Sequence, residues 1–234
     1  MELRTNIFLH QIAPVAIVLM SIAGTSQGQT PAPPPLANGV LMRDSLGDTT
    51  EPKMALNILT LQGGAAAPVH SHAGVVFAYV LDGHLENQID PEPPKRLGPD
   101  DFFHERPKQQ HQMFRNLSPT EPVRVLIFQN TPTVITRSNT ALQELLPELR
   151  DQEVVLTKHV LGPGSVVSES GSGSVFAYVL EGTLLAAGGG SEPKSRHAGE
   201  MFYSPPAAQD RTYRNTNTPE RAELLVFHVQ AKKN

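Results

Sequence analysis

His70 and His72 stand one residue apart shortly after Gly64, and a third histidine, His111, follows well downstream. Side chains alternate along a β-strand with period two, so on a strand His70 and His72 project to the same side. A third imidazole brought in from a distant strand closes a facial set that suits Fe(II), Mn(II), Ni(II), Cu(II) or Zn(II) and leaves positions open for water or a small organic substrate. The competing reading is that the three are hydrogen-bonded core histidines. The chain of 234 residues contains no cysteine, which excludes disulfides, thiolate ligands and cysteine nucleophiles. Histidine and carboxylate side chains are then the only good metal ligands available.

The elements that must position these residues are strands. Val, Ile, Leu and Phe recur in short runs between turn residues, and 18 glycines and 21 prolines leave little room for helix. Met54 to Leu61, Val75 to Leu81 and Val123 to Phe128 have the composition and length of strands. A repeat organises them: Phe77-Ala78-Tyr79-Val80-Leu81-Asp82-Gly83 returns as Phe176-Ala177-Tyr178-Val179-Leu180-Glu181-Gly182, at an offset of 99 residues. The same offset carries Phe103 to Phe202, Arg115-Asn116 to Arg214-Asn215 and Leu126-Ile127-Phe128 to Leu225-Val226-Phe227 without a gap. A period of this length is that of a whole domain, so the chain reads as two copies of a compact β domain. The first unit is expected over 40–134 and the second over 152–234. The linker between them, 135–151, carries an expected short helix from Thr140 to Leu146, capped by Asn139 or Ser138 and ended by Pro147.

The pattern Gly64-x5-His70-Ser71-His72, closed by Gly83 and followed by Phe102-Phe103, Pro107, His111 and Asn116, resembles the two motifs of the cupin superfamily. The first of these reads GxxxxxHxHxxxExxxxxxG, and the resemblance extends over both units. It implies an all-β protein of two tandem cupin barrels, each a double-stranded β-helix or jelly roll, packed face to face through their sheets. It also implies that His70, His72 and His111 are metal ligands and that Asn116 is the asparagine of the second motif. The sequence departs from the family at the glutamate ligand, where Val76 stands. A site of three histidines retains the full charge of a divalent ion, with more acidic bound water than a carboxylate-containing set gives. Some cupin dioxygenases use three histidines, whereas two-barrel oxalate-degrading cupins rely on the glutamate, so the departure favours the former. Asp100 also stands where the second unit has Gly199, and Pro107 and Asn116 each fall one residue later than the family spacing from the histidine.

In the second unit the offset places Glu169 at the position of His70, Gly171 at that of His72, Val175 at the glutamate position and Asp210 at that of His111. None of these is a histidine, so this barrel is expected to support its partner; Glu169 and Asp210 together make a weak candidate carboxylate pair. Val76 and Phe103 are further residues expected near the first pocket, and His104 and Glu105, just before Pro107, face either the pocket or its rim, with a packing role the expectation for His104. Arg211 and Arg214, beside Asp210, are either contacts for an organic anion or ordinary surface pairs. The expected function is that of a metal-dependent oxidoreductase of dioxygenase type acting on a small molecule. The alternatives are a non-catalytic small-molecule-binding barrel and a purely structural one.

The N-terminus reads as a secretory leader, with Arg4 ahead of an apolar stretch from Ile12 to Ile22 and small and polar residues through Gly28. That makes 1–28 a signal peptide, 29–39 a Pro-rich spacer, and the mature chain secreted or periplasmic. The apolar stretch is short for a membrane span of about 20 residues. A net charge of −4 with scattered cations gives no footprint for nucleic acid or for an anionic membrane. No sequence feature motivates a homo-oligomer, which stays open.

Overall fold

A computed structural model describes residues 37–47, 53–130, 141–146, 150–170, 172–188 and 191–232. The expected signal peptide and most of the spacer lie outside these residues. Every regular element among them is a strand. The first half contributes β1 (Ala37–Ser45), β2 (Lys53–Leu61), β3 (Ala66–Ala67), β4 (Val76–Asp82), β5 (Leu85–Ile89), β6 (Lys95–Leu97), β7 (Phe102–Glu105), β8 (His111–Asn116) and β9 (Val123–Asn130). The second contributes β10 (Ala141–Leu145), β11 (Gln152–Leu161), β12 (Val166–Glu169), β13 (Ser174–Glu181), β14 (Thr183–Gly188), β15 (Ser191–His197), β16 (Met201–Ser204), β17 (Arg211–Asn215) and β18 (Ala222–Ala231).

Four antiparallel sheets result. The first barrel is built from β10-β2-β9-β4-β7 and β3-β8-β5-β6, the second from β1-β11-β18-β13-β16 and β12-β17-β14-β15. The two orders are identical under the repeat, except that the outer places of the larger sheets are exchanged. β1, which the sequence assigns to the first unit, pairs with β11 of the second, and β10 pairs with β2 of the first. The connector expected as a helix is therefore a strand. Its register runs from Ala141 opposite Asn57 to Leu145 opposite Lys53. The unpaired edge of β2 offers a row of backbone donors and acceptors, and satisfying them outweighs a modest local preference for helix. β1 likewise begins at Ala37, inside the span expected as spacer.

The long strands are buried on both faces. Along β9 and β18 nearly every position is buried, because alternate side chains enter two different cores. Val123, Val125 and Ile127 point into the first barrel beside Val76, Ala78 and Phe114. Leu126 and Phe128 point out, into a core shared with Phe176, Leu225, Phe227 and Val229 of the second barrel. The Phe128 ring lies 4.8 Å from that of Phe227 and 5.0 Å from that of Phe176, centroid to centroid. Face-to-face packing of the larger sheets follows. The second barrel fills its own interior with Leu161, Val175, Leu184, Tyr213, Leu224 and their neighbours.

The repeated glycines have a shared cause. Gly83 and Gly182 adopt φ of +80° and +78° at the same tight turn, and a Cβ on Gly83 would come within 2.7 Å of the Val123 side chain. At the other departure, Asp100 keeps the left-handed backbone of Gly199 (φ 72° and 87°), which Asp tolerates better than most residues. Its carboxylate then accepts a 2.8 Å hydrogen bond from Lys158 of the second barrel.

Candidate metal centre

β3, β4, β7 and β8 converge on a cavity of about 190 Å³ inside the first barrel, lined by His70, His72, Glu105 and His111. His70 lies beyond the end of β3 and bridges to His111, the first residue of β8, through paired backbone hydrogen bonds, N to O and O to N, which fixes the two side by side. His72 lies two residues on, in the loop before β4, so neither histidine stands on the regular strand expected, yet the His72 ring centroid is 4.9 Å from that of His70. All three histidines named from the sequence line this one cavity.

The fourth residue is Glu105, which the sequence reading left undecided between pocket and rim. It is 2% exposed, and its register partner in the β4–β7 ladder is Val76, the residue that stands where the resemblance calls for a glutamate. The cavity therefore contains a carboxylate after all, delivered from the neighbouring strand. Glu105 Oε1 lies 3.1 Å from His111 Nδ1, and Oε2 lies 3.7 Å from His72 Nε2. Alternation along β7 carries the signal: Phe103 faces the interior, and Glu105, two residues on, must face it too.

The orientation of the donors supports cation binding. His111 Nε2 donates to Asn87 Oδ1 at 2.7 Å, which leaves the Nδ1 lone pair directed at the carboxylate. His70 Nδ1 donates to the Pro68 carbonyl at 2.8 Å, which frees its Nε2. Fixing one ring nitrogen by such a bond is how a protein sets the tautomer of a ligating histidine. Glu105 Oε2 and His111 Nδ1 are buried without a hydrogen-bond partner among the described residues. Two acceptors facing each other in a dry site repel, and a cation between them removes the cost. One ligand atom each from His70, Glu105 and His111 lies within 4.8 Å of the others. Burial, opposed by Glu105 and reinforced by His70 and His111, holds the His72 imidazole below its usual pKa and keeps it neutral, the form that ligates. The rest of the wall is apolar at Val76, Phe103, Phe114 and Ile127, with the amides of Asn57 and Gln129 opposite one another.

Other expectations resolve differently. Val76 and Phe103 line the cavity, but His104 points the other way, 3.0 Å from Asp44 Oδ2 and stacked on Phe77. Phe77 and Tyr79 belong to the core between the barrels. Asn116 acts as a strut: its Nδ2 donates to the carbonyls of Leu61, Gln62 and Glu121, and Asn215 repeats this with Leu161 and Glu220.

Among the described residues the second barrel gathers no set of three metal-ligating side chains like that of the first. Asp210 is exposed, and the place of His111 belongs to Arg211. The β5–β8 ladder is irregular between Gln88 and Ile89, so His111 faces Ile89, whereas the equivalent Gly188 faces Arg211. The extra residue that delays Asn116 is this irregularity, and a gapless offset misassigns the partner by one. Arg211 is 1% exposed and donates to the carbonyls of Ser170, Gly173 and Pro205 and to Ser204 Oγ, so it is no surface pair. Histidines are also present, from strands the offset did not test. His159 Nε2 lies 2.6 Å from Glu169 Oε1, and His228 Nδ1 lies 3.7 Å from Oε2.

Residues 57–128 match the Cupin domain family. No curated protein matches the chain by sequence. Among solved structures, salicylate 1,2-dioxygenase from Pseudaminobacter salicylatoxidans is similar with a TM-score of 0.57 at 14% identity, covering 78% of this chain and 72% of that one. AerE from Microcystis aeruginosa gives 0.56 at 17% identity, with 75% and 87% covered. YhaK from Escherichia coli gives 0.51 at 18% identity, with 79% and 92% covered. At these identities the likeness is one of fold. Residues 57–128 thus carry the Cupin domain, and with the same strand order repeated in the second barrel the chain has the fold of a two-barrel cupin.

Proposed function

We propose that the first barrel holds a divalent transition metal through His70, His72, Glu105 and His111, and that the protein is a metal-dependent oxidoreductase of dioxygenase type acting on a small organic molecule. The observation that carries this is the facing of Glu105 and His111, whose buried Oε2 and Nδ1 make no hydrogen bond among the described residues, in a cavity that two further imidazoles line. A bound ion there supplies Lewis acidity and, if redox-active, a means of activating dioxygen. The chain's own part is to fix the donors through Asn87 and Pro68, to lower the net charge of the site by one unit at Glu105, and to keep water away with Val76, Phe103, Phe114 and Ile127. Asn57 and Gln129 offer polar contacts to a substrate on the facing wall.

The fold likeness to a salicylate dioxygenase, one of whose structures contains gentisate, makes hydroxylated aromatic acids the first compounds to try. The test is elemental mass spectrometry on untagged protein from Gln29 onward, alongside His72→Ala and Glu105→Gln. Near-equimolar iron, manganese, nickel, copper or zinc that is lost in both variants supports the reading. Protein that stays metal-free after reloading removes it, and loaded protein that consumes no oxygen with these compounds reduces it to a binding barrel. Export is part of the same proposal and rests on the leader; N-terminal sequencing of protein from the extracytoplasmic fraction should begin near Gln29.

A further inference from the structure

The second barrel has a cavity of its own, about 100 Å³, at the place that the repeat makes equivalent to the mouth of the first. Its walls carry Lys194, Arg196, Phe202, Arg211 and Tyr213, with Glu192 the one acidic residue. Two of these are changes from the first barrel that the fold does not require. Arg196 pairs with Leu184 as Leu97 pairs with Leu85, and Tyr213 pairs with Ala186 as Phe114 pairs with Asn87. An apolar pair lining the first barrel has thus become a guanidinium and a phenol in the second.

Both new groups keep donors in reserve. Arg196 Nε and Tyr213 Oη are buried and have no hydrogen-bond partner among the described residues. Buried donors are nearly always satisfied, so two unsatisfied ones on one cavity wall point to a missing acceptor. Arg196 is also held in place, its guanidinium carbon 4.9 Å from the centroid of the Phe202 ring. Stacking leaves the in-plane N–H groups of an arginine as the ones that reach a ligand. Arg211, its donors largely taken by loop carbonyls, contributes a fixed positive charge.

We infer that this cavity binds a small carboxylate of about acetate size, which accepts from Arg196 Nε and Tyr213 Oη under the positive charge of Arg211 and Lys194. A planar carboxylate matches the in-plane donors of a stacked guanidinium, and Glu192 at the cavity wall selects against more highly charged anions. The Tyr213 hydroxyl is pushed up in pKa by burial and by Glu169, so it remains a donor at neutral pH. The site is separate from the metal centre, which lies in the other barrel.

The test is an NMR titration of the full chain, reloaded with zinc, with acetate at constant ionic strength, chloride serving as the control for charge alone. Saturable shifts are expected at the amides of residues 184–188, 194–196 and 211–213. Affinity should fall roughly tenfold in Arg196→Gln and severalfold in Tyr213→Phe, the cost of one charge-assisted and one neutral hydrogen bond. Arg196→Lys, which keeps the charge but loses the planar fork, should recover only part of it. His72→Ala should bind acetate as the parent does. The inference is overturned by absence of saturable shifts, by equal shifts with chloride, by shifts confined to residues around His70 and His111, or by folded Arg196→Gln and Tyr213→Phe variants that bind as the parent does.

Discussion

Val76 and Glu105 face each other across the β4–β7 ladder, so the carboxylate absent from one strand is present on the next at the same level of the barrel. Both side chains line the same cavity, and their positions are interchangeable in principle. Glu105→Gln should therefore lower metal affinity by at least tenfold, since it keeps shape and removes the charge. Val76→Glu combined with Glu105→Gln should restore most of it, because the carboxylate returns to the same cavity from the opposite strand. Competition with a chromogenic chelator measures both. A double variant no better than Glu105→Gln alone would show that the two positions are not equivalent.

His111 depends on Asn87 for its orientation. Removing the acceptor at 2.7 Å in Asn87→Ala frees the ring to flip or change tautomer, and metal affinity should drop by about 10- to 100-fold, the usual effect of losing such a support. Asn87→Asp retains an acceptor and should keep the metal. Unchanged far-ultraviolet circular dichroism in both variants would separate this from unfolding.

Asn116 and Asn215 are expected to matter for stability and not for the metal. Asn116→Ala strips the donor from three carbonyls, those of Leu61, Gln62 and Glu121, and the acceptor from the Ser118 amide. Leaving such groups unpaired costs about 2 to 4 kcal/mol in total. Asn215→Ala, with two carbonyls released, should cost somewhat less. Urea denaturation gives the values, and metal content should be unaltered in each folded variant.

The contact between barrels at Asp100 and Lys158 should appear in the acid limb of stability. The Lys158 hydrogen bond, with that of Tyr79, holds the Asp100 carboxyl below its usual value of 3.8. The unfolded chain then takes up this proton at a higher pH than the folded chain does. The contribution is complete above about pH 4 and is lost as the pH falls through the folded value. Asp100→Asn should lower stability near neutrality by no more than about 1 kcal/mol, because the side chain is 69% exposed and solvent screens the pair. The gap between parent and variant should narrow progressively as the pH falls below 4, as a series of thermal melts from pH 7 into the acid range would show; a gap that stays constant would argue against the pair.

The duplication, the all-β class, the face-to-face barrels and the gathering of His70, His72 and His111 around one cavity were all legible in the chain. Those features rest on local patterns: turn glycines such as Gly83 and Gly182, period-two burial along strands, and an offset that holds along most of the repeat. The exchanged edge strands were not legible, because the propensity of Ala141 to Leu145 is helical and its strand state comes from the open edge of β2. Arg211 in place of Asp210 was hidden by one irregular pairing near Ile89, which no linear offset can register. Glu105 was half visible, since alternation placed it on the face of Phe103, but nothing local says which strand lies beside β7. A sequence specifies which residues share a face of a strand; which strands become neighbours, and hence that Glu105 stands in for the glutamate missing at Val76, is set by long-range pairing.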